Sequence, residues 1–224
     1  MLGELITGNI KFTEAIVYIL STLAVIFLTL PIHEFAHAFT ADKLGDPTPR
    51  YQGRLTINPF AHIDYIGSLC ILLFGFGWAK PVQVNNFNFR KPKLGMALVA
   101  LAGPLSNIIL AFVSLILSNL FFVLNMSLAL NYIAMFFIYI AQINVYLAVF
   151  NLIPIPPLDG SRILSVILPN KYYYKLMRYE RYIYYGLLAL LFLGVLDIPL
   201  ANISSAVLEG LQSIASLPFA AIWG

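Results

Sequence analysis

The residues that could do chemistry are concentrated in Pro31-Ile32-His33-Glu34-Phe35-Ala36-His37-Ala38-Phe39. On a helix, residues four apart lie one above the other on the same face. His33 and His37 therefore point the same way, and two imidazoles on one face can grip a single metal ion. Glu34 lies beside them, close enough to act on a water held by that metal. A hydrolytic zinc site needs three protein ligands and one open position. The chain has three histidines, so the third ligand is His62 or a carboxylate. His62-Ile63-Asp64 would bind metal only if extended, and such a pair more often marks an interfacial turn. Asp159 is the best-placed carboxylate, because the chain around it is non-helical at membrane depth. Asp197, in the helix-end pattern Asp197-Ile198-Pro199, is weaker.

The elements that must position these groups are apolar. Of 224 residues, 60% are hydrophobic and 10% charged, where a soluble domain carries about 25% charge. The expected fold is an all-α polytopic membrane protein: about four transmembrane helices, a re-entrant segment and short strands near the active site. The whole chain, 1–224, reads as a single membrane-embedded domain. The net charge of +3 is too small to suggest nucleic acid as a partner. A single cysteine, Cys70, excludes an internal disulfide and any multi-cysteine metal site. The first eleven residues contain Glu4 and Lys11 without a basic n-region, so no cleaved leader is expected.

In chain order, the first span is expected over Phe12 to Thr40. Its stretch from Ala15 to Leu30 is uncharged, and the motif falls near its far end. Residues 45–62 are rich in Pro and Gly and predict turns and short strands. Ile66 to Trp78 is apolar but short, and both its flanks are basic on balance; it predicts a re-entrant hairpin rather than a crossing. Leu94 to Leu124 is the next span and carries Ala102-Gly103-Pro104-Leu105-Ser106-Asn107. Asn107 either packs helices or is aimed into the active cavity, and the sequence leaves both readings open. Tyr132 to Ile153 runs into Asn151-Leu152-Ile153-Pro154-Ile155-Pro156-Pro157-Leu158-Asp159-Gly160, where three prolines must unwind the helix. Unwound backbone at that depth is tolerated only inside protein or against water, which puts Asp159 at a cavity. Lys171, Lys175, Arg178 and Arg181, among tyrosines, form a basic aromatic loop that predicts a cytoplasmic surface anchor. Ile183 to Leu200 predicts a last span, and the amphipathic tail is expected at the far interface.

These two stretches, His33-Glu34-Phe35-Ala36-His37 and Asn151 to Gly160, resemble the motifs of the site-2 protease family of intramembrane zinc metalloproteases. Ala102 to Asn107 is similar to a further family element. Gly53 to Pro59 and Gly77-Trp78-Ala79-Lys80-Pro81-Val82 look like its compact prokaryotic branch, without the PDZ or CBS module that other members carry. The likeness covers about residues 12–168. It implies one zinc ion held by His33, His37 and Asp159, with Glu34 as general base. It further implies that Asn151 holds the substrate or the oxyanion, and that the substrate is a transmembrane protein cut in or near its membrane segment.

The site is expected towards the cytoplasmic side of the cell membrane, with the N-terminus outside. Two other functions fit parts of the pattern. A metal-binding transporter or channel would also place His and Asp in the membrane, but it would more often show paired broken helices, and it gives Glu34 no task. A relative that binds membrane helices without cutting them would be expected to lack Glu34 or a ligand, and all four residues are present.

Overall fold

The computed structural model describes residues 11–124 and 127–219. The expectations for a leader, for the placement of the N-terminus and for the last five residues of the tail lie outside the described residues. The described chain is all helical. Three helices are long and apolar enough to cross a membrane: α1 (Phe12–Lys43), α3 (Pro92–Leu124) and α4 (Leu128–Asn151).

α1 is continuous but not uniform. Its first half buries small and hydroxyl side chains, Ala15, Val17, Ser21 and Thr22. Ser21 Oγ donates to its own helix at Val17 O (2.8 Å) and lies 3.1 Å from Phe136 O of α4. A single π-helical turn covers Val25–Thr29. It ends just before Pro31, which has no N–H for the Phe27 carbonyl and would crowd it; a wide turn absorbs that misfit, and such turns recur at functional sites. The helix then resumes over Leu30–Lys43 and carries the motif.

α3 and α4 form an antiparallel pair at the centre, packed through Ala111, Leu115, Ala141 and Val145. Small residues on both helices let the backbones come close, the usual basis of packing where lipid gives no hydrophobic drive. Between α1 and α3 lies α2 (Tyr65–Phe74), a helix of ten residues, too short to span. Asp64 caps its start by accepting from Gly67 N–H at 2.8 Å, and Gly75 ends it at φ 82°. The chain then turns back. A side chain on Gly67 would meet the Trp78 carbonyl at 2.0 Å, and one on Gly77 would meet the Gly67 carbonyl at 2.0 Å. The hairpin closes where Lys80 N–H donates to His62 O at 2.8 Å. The segment thus leaves and re-enters the fold at one point.

The expected short strands are absent among the described residues. Thr48–Tyr51 is a single helical turn and Pro59–Ala61 a 3-10 turn. Pro47, Pro49, Pro59 and Pro81 remove ladder donors, and buried side chains take up the backbone groups that a sheet would have paired.

After α4 the prolines unwind residues 152–158, and α5 (Asp159–Ile167) begins on Asp159 itself. α6 (Asn170–Arg178) is amphipathic and carries Lys171, Lys175 and Arg178. The stretch expected as a last span, 183–200, falls in two helices, α7 (Glu180–Phe192) and α8 (Asp197–Ala215), bent by 84° to one another. Gly194, at φ 68°, terminates the first, and Pro199 sits in the first turn of the second. The tail is likewise not purely interfacial. Val207, Leu208 and Leu211 of α8 pack onto the α3–α4 core, and Gln212 Nε2 donates to Asn119 Oδ1 at 2.9 Å.

Candidate metal centre

His33 and His37 sit one turn apart on α1, with ring centroids 4.7 Å apart and planes at 84°. His37 Nδ1 lies 2.7 Å from Val99 O of α3. A carbonyl can only accept, so Nδ1 carries the hydrogen and the lone pair of Nε2 points inward. The two Nε2 atoms are 3.0 Å apart. Asp159 Oδ2 lies 3.4 Å from His33 Nε2 and 3.3 Å from His37 Nε2. Tetrahedral zinc with bonds of about 2.0–2.1 Å would set neighbouring ligand atoms about 3.3 Å apart. The triangle therefore has edges close to those of three corners of a zinc tetrahedron, and its donors are two imidazole nitrogens and a carboxylate oxygen. These three residues form a group of potential ligands with all donor atoms within 4.8 Å. His62 is not among them. It is fully buried, and its Nε2 donates to Thr56 O at 2.8 Å.

The close fit depends on Gly103. A methyl group there would lie 2.4 Å from His37 Nε2 and 2.6 Å from His33 Cε1. The hydrogen in place of a side chain lets α3 rest against both imidazoles. Pro104 follows, and Ser106 Oγ donates to Gly103 O at 2.7 Å. Gly103 is thus a packing residue whose partner is the ligand pair.

Glu34 is 7% exposed, and its Oε2 accepts from Val82 N–H at 3.0 Å. This partner is a main-chain group, so no side-chain motif announces it. Two cavities meet at the centre. A polar cavity of about 520 Å³ is lined by Glu34, His37, Gln83, Asn86, Asp159 and Arg162 among others. An apolar one of about 330 Å³ lies between α4, α7 and the hairpin, with Phe76, Trp78, Phe150, Leu187 and Leu191 in its wall. Glu34, Asp159, Pro81 and Pro157 line both. Asn151 faces the apolar cavity and donates from Nδ2 to Leu147 O at 3.0 Å. Asn107 is fully buried one turn beyond Gly103, finds no hydrogen-bond partner among the described residues and lines neither cavity. Asp197 begins α8 and is not among the grouped ligands.

Fold and site together define a membrane protein with a histidine–carboxylate metal centre of the hydrolytic kind. Comparison with known proteins gives the family. Residues 119–194, which include the Asn151-to-Gly160 stretch, match the model of peptidase family M50. The chain is 42% identical over 168 residues to "Putative zinc metalloprotease YwhC" of Bacillus subtilis, covering 74% of this chain and 75% of that one. It is 33% identical over 157 residues to "Putative zinc metalloprotease MJ0611" of Methanocaldococcus jannaschii, covering 67% and 71%. With "Putative zinc metalloprotease Rip2" of Mycolicibacterium smegmatis it shares 34% identity over 146 residues, 62% of this chain and 53% of the relative. No solved structure matches. The chain belongs to peptidase family M50, the site-2 protease family, and is a zinc metalloprotease acting on protein substrate.

Proposed function

We propose that the chain cuts a peptide bond in or near the transmembrane segment of a membrane-protein substrate, at the cytoplasmic side of the cell membrane, and that 1–224 works as one catalytic domain. The observation that carries this reading is the meeting of an apolar and a polar cavity at Glu34 and Asp159. The apolar one suits an apolar helix arriving sideways from lipid; the polar one suits water. The ligands lie near the ends of α1 and α3 that border the basic loops with Arg90, Lys91 and Lys93, and Lys/Arg-rich loops favour the cytoplasm. The hairpin at 62–80, which starts and ends at one place, supports a re-entrant segment, and the bent α7–α8 pair supports a fourth span.

In this mechanism His33 Nε2, His37 Nε2 and Asp159 Oδ2 would hold one zinc. Bound there, zinc supplies a Lewis acid that polarises the carbonyl and makes water acidic near neutral pH. The His37 Nδ1–H bond to Val99 O fixes the ring that the ligand needs. Glu34 takes the proton from the attacking water and passes it to the leaving amine. Its carboxylate is held by the Val82 N–H during both transfers. Asn151, facing the apolar cavity, exchanges its bond to Leu147 O for one to the substrate carbonyl. Asn107, buried and lining neither cavity, takes no part in this mechanism. A helix in lipid hides its peptide bonds in its own hydrogen bonds, so the substrate must unwind. The backbone at 79–84 belongs to no helix, borders both cavities and is open to strand addition by the unwound segment.

The test is cleavage of a single-span substrate in proteoliposomes, with the cut mapped by mass spectrometry. The cut is expected inside the apolar segment or close to its end. Glu34→Gln is expected to keep its zinc and to lose about 10²–10⁴-fold in rate, the usual worth of general acid–base catalysis. Cuts confined to soluble loops would overturn the intramembrane reading. Native-rate cleavage by Glu34→Gln would overturn the assignment of the base.

A further inference from the structure

We infer that Asp46 and Arg54 are positioning residues for Glu34: from one short loop they fasten the two ends of segment 80–88, and so hold the Val82 N–H against the Glu34 carboxylate. The inference rests on Glu34 being the base.

The segment needs fastening. Apart from a 3-10 turn at Asn86–Asn88, it belongs to no helix, and it pairs with no strand among the described residues. Between its ends it nevertheless makes a bond that orients the base, Val82 N–H to Glu34 Oε2 at 3.0 Å. The two ends are held by buried charges. Arg54, 7% exposed, forms no ion pair among the described residues. Its guanidinium donates instead to carbonyls: Ala61 O, Lys80 O at 3.3 Å and Pro81 O at 3.5 Å. That ties the start of the segment, directly before Val82, to the 54–62 loop. Asp46 is fully buried. Its Oδ2 accepts from Asn85 N–H at 2.7 Å, and its Oδ1 accepts from Asn88 Nδ2 at 2.6 Å. On its own side Oδ1 is fixed by Thr48 Oγ1 at 2.6 Å and Thr48 N–H at 3.1 Å. That ties the far end.

Two features mark this as more than loop anchoring. Burying a charge is expensive unless every lone pair or donor is met, yet two are buried here, within nine positions of sequence, and each has at least one partner in the backbone on either side of Val82: Lys80 O and Pro81 O for Arg54, Asn85 N–H for Asp46. Between the two ties Val84 packs against the cluster of Ala41, Phe89 and Val99, so the ties and this packing together set the height of the segment over α1. A shift of about 1 Å in a catalytic group can lose about 100-fold in rate, so the ties act on turnover through the base while leaving the ligand triangle, which stands on α1, α3 and α5, undisturbed.

The experiment is a double-mutant cycle on reconstituted full-length protein, reading kcat, KM and bound zinc. Val82→Pro removes the N–H directly. Asp46→Asn keeps the shape of the side chain but sets an amide against the Asn85 N–H. Asp46→Asn alone is expected to lower kcat by about 10–100-fold with KM and zinc unchanged, and to add no further loss in the Val82→Pro background, because both act through one contact. Asn88→Ala, which removes one bond to Asp46, shows the same pattern more weakly and carries the cycle if Asp46→Asn does not fold. Arg54→Lys, retaining charge and donors, keeps more activity than Arg54→Gln. Losses that multiply in the double mutant, or a native kcat in Asp46→Asn or Asn88→Ala, overturn the inference. Equal activity of the two Arg54 variants removes Arg54 from it. Glu34→Gln run alongside separates the two readings, since a native rate there sinks the base and not the ties.

Discussion

The proposed metal ligands and the proposed base are neighbours held by unlike kinds of structure. His33, His37 and Asp159 stand on helices, and the helix opposite, α3, braces them through Val99 O and the bare face of Gly103. Glu34 stands on the same helix as the histidines, but its orientation is set from outside, by the Val82 N–H on a segment with no regular secondary structure. The ligand frame is therefore part of the helical core and is disturbed only when helices move or a ligand is lost. The base frame is a strap tied at both ends by side chains, and it can fail by itself. The difference predicts two classes of defect: loss of zinc on one side, and loss of turnover with zinc intact on the other.

The largest effect belongs to the ligand frame. Asp159→Ala removes one corner of the triangle and leaves two imidazoles. Zinc content of the purified protein is expected to fall sharply and proteolysis to be lost with it; full native zinc content would break the comparison at its base. Gly103→Ala comes next. On an exposed helix this change would stabilise by about 1 kcal/mol. Here the added methyl would lie 2.4 Å from His37 Nε2, so either the ring leaves the metal or α1 moves from α3. Reduced zinc is expected, in contrast to Asp46→Asn, which keeps it. If Gly103→Ala binds zinc natively and loses only turnover, the two frames are not separate.

How much of this could be read from the sequence follows the same division. The ligand frame was legible because its chemistry lies in side chains at helical spacing: His33, Glu34 and His37 on one stretch, and Asp159 after three helix-breaking prolines. The spans were legible from charge-free length. The base frame was not. Its central donor is a backbone N–H, which Val82 shares with nearly every residue type. Asp46 and Arg54 sit in a stretch whose Pro and Gly content suggested turns and strands, and there the buried side chains, not a partner strand, satisfy the backbone. A buried Asp between Gly45 and Pro47, followed two residues later by Thr48, was the available signal, since Asp and Thr side chains favour such local bonding. Likewise the break at 193–196 was missed because apolar composition runs through it, although Gly194 and the Asp197-Ile198-Pro199 pattern both border it.

The smallest expected effect is thermodynamic and bears on the tie at Asp46. Burial pushes the Asp46 carboxyl up, but bonds from the Thr48 hydroxyl, the Asn88 amide and the N–H groups of Asn85 and Thr48 outweigh it and hold it below the ordinary value. In the unfolded chain the group titrates near its usual value of about 3.9. A carboxyl depressed by folding contributes stability that is present in full above the unfolded value and is lost as pH falls through the folded one. Native protein should therefore be more stable than Asp46→Asn at neutral pH, and the gap should stay constant down to about pH 5 and narrow below it. Thermal unfolding of both proteins, zinc-free in the same detergent, measures the gap directly. The metal ligands titrate alike in the two proteins and cancel in the difference. A gap that stays the same from pH 6 to pH 3 would mean that Asp46 is not held as a charged acceptor, and the strap would then lack the tie that distinguishes it from an ordinary loop.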